Sequence, residues 1–428
     1  MAMEIYYLHP YCEGVMRKHK NSKNPDFVIL NDLHPKEQAG AATIALETAQ
    51  LLSRKFQVEY WCSNAHKTYM SSANEFRIVE RSIRIRRRFK RVINQFYFTS
   101  LISEFMNPYR IAVIAIYLLR HRPSYLWIHQ IGTQFPRCVV LVAKILGIST
   151  IQTFHDFSPI EPNKIYPSDF GLAATQVDSF IKTDLGAIPH ILKEKSSRNL
   201  PINSMRSKFR RYCINQLMIR TDHLISISTL QRDIFRGFGF PEMSIVNNGI
   251  DSCVCKKPLL EGVRNRRILF AGRIVGKGLN RIAAAIAETQ SISLVLAGRE
   301  DLLVEAMKYL PSHRIEYLGN LKRGDLATVM HQVDYVAVLS NCFDVFPTLT
   351  LEAIAHGAKV LTTSVTGNSS FSKCTNGITL IPYYGKQELG AILNSLDSNQ
   401  APSKTNVAVN PFMTPSQSVG RVIKIIDC

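Results

Sequence analysis

Two carboxylates, Asp344 and Glu352, stand seven mostly apolar residues apart in NCFDVFPTLTLEAIAHGAK, the stretch Asn341–Lys359. A buried strand or helix does not carry acids there without a use for them. In one continuous helix, eight residues turn about 800° and leave the two side chains roughly 80° apart. Pro347 argues against that helix, because proline is poor in a helix interior and good at its start. Asp344 is therefore expected in a loop after the strand DYVAVLS. Glu352 is expected in the first turns of a helix TLTLEAIAH, which Gly357 can end. Both acids then lie at one sheet edge, where carboxylates can accept hydrogen bonds from hydroxyls. The helix start offers backbone N–H groups to an anion. Taken alone, Glu352 serves equally well to complement a helix dipole, and Asp344 to decorate a loop.

A second stretch, FAGRIVGKG, supplies the opposite charge. Arg273 and Lys277 follow a strand and precede a helix, where a guanidinium and an ammonium can neutralise a diphosphate. Gly272, Gly276 and Gly278 let the backbone turn tightly and approach it. The spacing is not that of a P-loop, and a solvated basic turn is the competing reading. In HPKEQAGAAT, Gly40 opens a helix after the first strand, a geometry for phosphate approach that a plain tight turn also explains. In TFHDF, His155 and Asp156 end a strand, so an imidazole can face a ligand or simply serve the core. No metal-ligand cluster or serine-nucleophile motif accompanies them.

These residues need a scaffold. The chain has 428 residues, enough for two domains, with 46% hydrophobic and 20% charged residues. DFVILNDLHPKEQAGAATIALETAQLLSRKFQVEYWCS reads as strand (Phe27–Leu33), helix (about Ala41–Ser53) and strand (Gln57–Trp61). Residues before Asp26 read as a polar extension or a hairpin. Further strands are expected at Tyr125–Ile131, Ser149–Asp156 and His223–Ser228. The stretch SIVNNGID closes in a turn signal. A basic, polar linker near residues 252–265 follows. Strand–helix alternation then restarts with RRILFAGR, GLNRIAAAIAET and SLVLAGR. It continues through RIEYLGN, DYVAVLS and KVLTTSV, and TPSQSVGRVIKIID ends the chain as a helix. Alternation twice over predicts two parallel, doubly wound α/β domains, with ligands beyond the carboxyl ends of the strands.

The formal net charge is +19, which predicts an anionic partner. RSIRIRRRFKRVINQFYF (Arg81–Phe98) and the sparser MRSKFRRYCINQLMIR (Met205–Arg220) mix basic with apolar and aromatic residues. That mixture suits an anionic lipid surface. It would also suit nucleic acid, but no nucleic-acid-binding motif accompanies it, and none is expected as a partner. The nine cysteines are unpatterned, which fits free thiols in a reducing compartment. The start lacks a basic n-region, and the apolar runs are too short to span a bilayer. The expected location is the cytoplasm, at most peripheral on the inner face of the cytoplasmic membrane.

Together the motifs resemble the retaining family 4 glycosyltransferases, the group 1 glycosyl transferases of GT-B fold, and are similar to bacterial surface-polysaccharide enzymes. FAGRIVGKG looks like that family's G-R-x(n)-K-G segment. DHLISIS followed by VNNGID is similar to the end of its first domain. DYVAVLSNCFDVFPTLTLEAIAHGAKVLTTSVTGN resembles its E-x7-E signature followed by a glycine and a strand. The likeness runs from about Phe27 to Gly367. It implies two Rossmann-like domains facing a cleft: an acceptor-binding domain over residues 1–255 and a nucleotide-sugar-binding domain over 256–410. A helix in 411–428 crosses back in relatives.

The resemblance also implies roles. Glu352 would bind ribose hydroxyls of a nucleotide sugar, and Asp344 hydroxyls of the donor sugar. Arg273 and Lys277 would hold the diphosphate, with Gly272 in the same turn. Gly40 would let backbone N–H groups reach the phosphates. His155 would sit near the transferred sugar, and Phe346, Pro347 and Thr348 would line the donor site. Three departures stand out. Asp344 is a methylene shorter than the usual Glu, Arg273 and Lys277 are unusually close, and Ala39 replaces the first glycine of a common pair. The implied reaction is retaining transfer from a nucleoside-diphosphate sugar to a glycan or lipid-linked acceptor, with no metal and no cofactor. The alternatives are a nucleotide-sugar hydrolase or epimerase of the same fold, and a non-catalytic nucleotide- or nucleic-acid-binding protein.

Overall fold

The computed structural model describes residues 24–32, 40–62, 81–82, 104–132, 135–162, 165–170, 172–183, 204–250, 266–383, 385–397 and 413–427. The segment before Asn24, the linker near 252–265 and all but Arg81–Ser82 of the Arg81–Phe98 stretch lie outside them.

The first run of elements is β1 (Phe27–Asn31), α1 (Gly40–Ser53), β2 (Val58–Cys62), β3 (Arg81–Ser82), α2 (Pro108–His121), β4 (Tyr125–Gln130), α3 (Val139–Ile145) and β5 (Ser149–Phe154). Next come α4 (Val177–Thr183), α5 (Met205–Met218), β6 (His223–Ser226), α6 (Thr229–Gly237) and β7 (Ser244–Ile245). The second run is β8 (Arg267–Gly272), α7 (Leu279–Ala287), β9 (Ser293–Gly298), α8 (Asp301–Ala306), β10 (Ile315–Tyr317), α9 (Arg323–His331), β11 (Tyr335–Val338), α10 (Thr348–Ala355), β12 (Lys359–Thr363), β13 (Ile378–Ile381), α11 (Lys386–Asp397) and α12 (Pro415–Ile426).

A seven-stranded sheet takes the order β3-β2-β1-β4-β5-β6-β7, and a six-stranded sheet the order β10-β9-β8-β11-β12-β13. The described pairings are parallel. In each sheet the strand order reverses beside the first strand of its run, which is the doubly wound pattern. The two compact units are Met1–Gln152 with Arg220–His223 and Ser416–Cys428, and Thr153–Ile219 with Leu224–Pro415.

In the first unit, β1 is buried along its whole length, as a parallel strand covered on both faces must be. Its Val28 and Leu30 join Trp61, Ile114, Leu118 and Ile128 in one core. Asn107 starts α2 by accepting the Arg110 N–H at 3.1 Å. Just past β1, the carboxylate of Asp32 accepts the Phe135 N–H at 2.7 Å.

In the second unit, β8 and β9 run in register from Arg267 opposite Ser293 to Gly272 opposite Gly298. Ile268, Phe270, Leu294 and Leu296 pack with Leu279, Ile282 and Ile286 of α7. Each such aliphatic side chain contributes about 1.5–3 kcal/mol on full burial. The strand expected at His223–Ser228 stops at Ser226. Ser228 turns instead to cap α6, accepting the Gln231 N–H at 3.2 Å, while the Gln231 side-chain oxygen takes the Ile227 N–H at 3.0 Å.

One glycine decides how the site is assembled. Gly278 precedes α7 with φ 78°, and a Cβ there would lie 1.9 Å from the Leu339 carbonyl oxygen beyond β11. The turn after β8 therefore rests directly on the backbone after β11. Gly278→Ala should destabilise the fold by about 3 kcal/mol or more, through strain and a backbone clash. Gly324 on α9 has open space around its Cβ position, so Gly324→Ala should be neutral or gain about 0.5–1 kcal/mol. Urea denaturation of the two variants checks both expectations.

Candidate active site

The strand order of the six-stranded sheet reverses between β8 and β11, and the predicted cations and Asp344 lie just past the carboxyl ends of those two strands. Gly272 closes β8 with φ 125°. Arg273 is exposed and makes no ion pair among the described residues. Lys277 is half-buried and pairs through Nζ with Asp344 Oδ2. Ser340 Oγ donates to the same oxygen at 3.2 Å. Burial works against the Lys277 charge, but the adjacent Asp344 more than compensates and holds the ammonium above the usual lysine range, with Arg273 opposing. The Gly276 carbonyl accepts from the Asn341 N–H at 3.0 Å and from Cys342 Sγ at 3.4 Å. The loop carrying Lys277 is thus fastened to the loop carrying Asp344 through main chain as well as charge.

Asp344 is fixed along its backbone too. Its N–H donates to the Val365 carbonyl at 2.9 Å, and its carbonyl accepts the Gly367 N–H at 2.7 Å. A Cβ at Gly367 would lie 1.7 Å from the Val345 carbonyl, so only glycine fits there. Asn368 donates through Nδ2 to the Pro347 carbonyl at 2.7 Å. Phe346 is buried and meets Phe371 edge-on, with ring centroids 6.2 Å apart. Pro347, with ψ 106°, stands immediately before α10, and Thr348 begins the helix. Gly357 adopts φ 76° after it, the left-handed turn that ends helices.

Glu352 lies on α10 with its side chain largely covered. Its Oε1 pairs at 3.1 Å with Nη2 of Arg323, the first residue of α9. His331 and His356 join the same two helices at 3.3 Å. Burial, then His331 and Arg323, holds His356 below the ordinary histidine range.

His155 follows β5 directly. Burial pushes its imidazole down to about 4, against the pull of Asp156, so it is neutral at neutral pH. Asp156 accepts the Ser158 N–H at 2.9 Å, and its carbonyl accepts from Gln231 Nε2 at 3.0 Å. Phe157 meets Phe343 edge-on at 6.5 Å, and the Phe343 N–H donates to the Ile165 carbonyl at 2.9 Å. The segment after His155 is thereby tied to the segment before Asp344. Gly40 belongs to the first unit, where it opens α1 with open space around it.

Four contributors escape sequence reasoning. Arg323 and Asn368 hold predicted residues from a distance in sequence, and Ser340 holds Asp344 from four positions away. Asp178 on α4 accepts from Ser364 Oγ and from the Tyr383 N–H, the latter at 2.8 Å. The VTGN stretch that includes Asn368 was the one available signal. Among the described residues, no His, Cys, Asp or Glu side chains group in threes as metal ligands would. The described cysteines are free thiols.

Two family models match the sequence: Glycosyltransferase Family 4 over residues 39–252 and Glycosyl transferases group 1 over residues 256–407. No curated protein matches it. The chain is similar to a glycosyltransferase from Rickettsia africae ESF-5, with TM-score 0.63, 11% identity, and 94% of this chain and 98% of that chain covered. It is similar to Anabaena Alr3699/HepE in complex with UDP and glucose, with TM-score 0.61, 15% identity, and 94% and 99% covered. It is also similar to WaaG, a glycosyltransferase involved in lipopolysaccharide biosynthesis, with TM-score 0.57, 13% identity, and 93% and 95% covered. The fold is that of these two-sheet GT-B proteins.

The state of His155 makes a stability prediction. The unfolded chain protonates this histidine near 6.5 and the folded chain only near 4, so folding excludes a proton between those values. Stability should therefore fall as pH drops from about 6.5 to about 4, and His155→Gln should flatten that part of the profile in urea denaturation series.

Proposed function

The chain belongs to glycosyltransferase family 4, and from that membership we propose that it is a retaining enzyme using a nucleoside-diphosphate sugar. UDP is the first base to test. It is the nucleotide in the complex of Anabaena Alr3699/HepE. The proposed acceptor is a glycan or lipid-linked sugar in bacterial surface-polysaccharide synthesis. The involvement of WaaG in lipopolysaccharide biosynthesis supports that choice.

The observation that carries the donor reading is the group beyond β8 and β11: Lys277 paired with Asp344, beside an exposed Arg273 that makes no ion pair among the described residues. When the bond from the anomeric carbon to the diphosphate breaks, negative charge grows on the departing phosphate. Arg273 and Lys277, whose ammonium Asp344 holds above the usual lysine range, meet that charge without any proton transfer. In this reading Asp344 both holds Lys277 and accepts from sugar hydroxyls, and Glu352 accepts from the ribose. Gly272 gives the turn room. Phe346, Pro347 and Thr348 form the wall beside the sugar. Gly40 supplies backbone N–H groups, and His155 donates or accepts as a neutral imidazole. The charge is met by side chains, so the reaction is proposed to need no metal.

Among the described residues no helix is long and apolar enough to cross a membrane. Helix α5 offers a different relation to lipid. Met205, Phe209 and Tyr212 are exposed at helical spacing on one face, 87%, 56% and 62% accessible. Arg206 and Lys208 are exposed beside them, and the helix has no acid. An apolar stripe flanked by cations suits peripheral docking to an anionic leaflet, where a lipid-linked acceptor would be met.

Arg273→Ala and Glu352→Ala should each abolish sugar transfer while leaving the unfolding transition in place. The assay follows release of UDP from UDP-sugars, in the presence of EDTA, and reads the anomeric configuration of the product by NMR. Near-normal turnover in either variant would overturn the site assignment. Cosedimentation with phosphatidylcholine vesicles should rise when phosphatidylglycerol is included, and fall again in the M205S/F209S/Y212S variant. Indifference to anionic lipid would remove the membrane reading.

A further inference from the structure

We propose that Arg323 is the positioning residue for Glu352, and that through it the enzyme distinguishes a ribonucleotide from its deoxyribose counterpart. The inference rests on the reading above in which Glu352 accepts hydrogen bonds from ribose hydroxyls.

The two residues come from different helices, and nothing local in the sequence pairs them. Arg323 Nη2 reaches Glu352 Oε1 at 3.1 Å. The Glu352 side chain is 17% accessible and that of Arg323 is 48% accessible, so the arginine spans from solvent to a mostly covered carboxylate. The placement of Arg323 needs a reason. It is the first residue of α9, where the helix dipole disfavours a cation. A half-exposed ion pair of this kind adds little to stability, about 0–1 kcal/mol. The geometry gives it another use, which is to orient one carboxylate.

Orientation matters because of what a ribose presents. Two neighbouring hydroxyls must donate to one carboxylate at the same time. An ionised carboxylate has about four lone-pair sites, so the bond from Arg323 can orient it without taking all of them. Glu has several rotatable bonds, and a free Glu loses rotamer entropy whenever a ligand orders it. Arg323 imposes that ordering before the ligand arrives, which is preorganisation in the ordinary sense. The seam between α9 and α10 supports the same register, since His331 and His356 meet across it at 3.3 Å. With the two helices locked there, the guanidinium and the carboxylate keep one relative position.

The experiment compares nucleotide pairs. Affinities of UDP, GDP and ADP are measured by calorimetry, and the tightest is compared with its 2′,3′-dideoxy form. The proteins are the wild type, Arg323→Ala, Arg323→Lys, Glu352→Gln and the double variant R323A/E352Q. The wild type should prefer the ribonucleotide by about tenfold, the equivalent of one charge-assisted hydrogen bond. Glu352→Gln should lose that preference. Arg323→Ala should lose most of it while binding the dideoxy form normally, and Arg323→Lys should restore part. The double variant should match Glu352→Gln, because the proposed effect of Arg323 on ribose selection runs through the acid. In turnover, Arg323→Ala should raise the donor KM and leave kcat within about twofold.

If Arg323→Ala weakens both nucleotide forms equally, or keeps the full preference while Glu352→Gln loses it, the positioning role is wrong and the ribose reading survives. If Glu352→Gln keeps the preference, the ribose reading of Glu352 fails, and this inference with it. Failure of all three nucleotides to bind the folded wild type overturns both.

Discussion

The pair between Lys277 and Asp344 is the contact on which the rest of this site depends. It joins the loop after β8 to the loop after β11, the two strands beside which the sheet order reverses. That contact is possible because Gly278 lets backbone rest on backbone at Leu339, and because the Gly276 carbonyl is held by Asn341 and Cys342. A partly buried ion pair is weak evidence for stability, since desolvation cancels much of the attraction. Its worth here is geometric. Removing either partner would leave the other charge partly buried and the two loops joined by main chain and the Cys342 thiol.

The pairing also shows how a proposed anion site could tolerate acids. A lone carboxylate beside a diphosphate would repel it. Here each of the two acids already has a cation of its own, Lys277 for Asp344 and Arg323 for Glu352. Their negative charge is therefore neutralised before any ligand approaches, and what remains of them is hydrogen-bond acceptance. Arg273 is exposed and makes no ion pair among the described residues, and in the proposed reading it supplies the first attraction for a phosphate.

Much of this was readable in the chain itself, and the unread part has a common cause. Pro347 separated a loop acid from a helix acid, and the structure starts α10 at Thr348. Gly357 ended the helix as its φ demands. Strand–helix alternation gave parallel sheets. What alternation does not encode is the order of strands, and hence which loops become neighbours. Arg323 lies 29 positions before Glu352 in the sequence, and only the folded seam of α9 and α10 brings them together. Asp178 meets Ser364 and Tyr383 from nearly half the chain away. Ser228 misled in the other direction: its β-like neighbours predicted strand, but its hydroxyl was better used as a cap. The basic stretch Arg81–Phe98 falls almost wholly outside the described residues, whereas the second basic stretch forms α5 with its apolar side chains outward.

Lys277 and His155 show why residue type alone does not give protonation. Burial opposes charge on both. Lys277 has a carboxylate in direct contact, and that contact keeps it protonated. His155 has Asp156 next to it in sequence, but one oxygen of that carboxylate is engaged by the Ser158 N–H, and its attraction does not offset burial. One basic side chain therefore stays charged across the physiological range and the other stays neutral. For a reaction that releases a diphosphate, this division is useful. Positive charge is held by the loop that follows β8, where phosphate is proposed to sit, and His155 adds a hydrogen-bonding group without adding charge. The same fold thus sets which basic side chain carries charge and which does not.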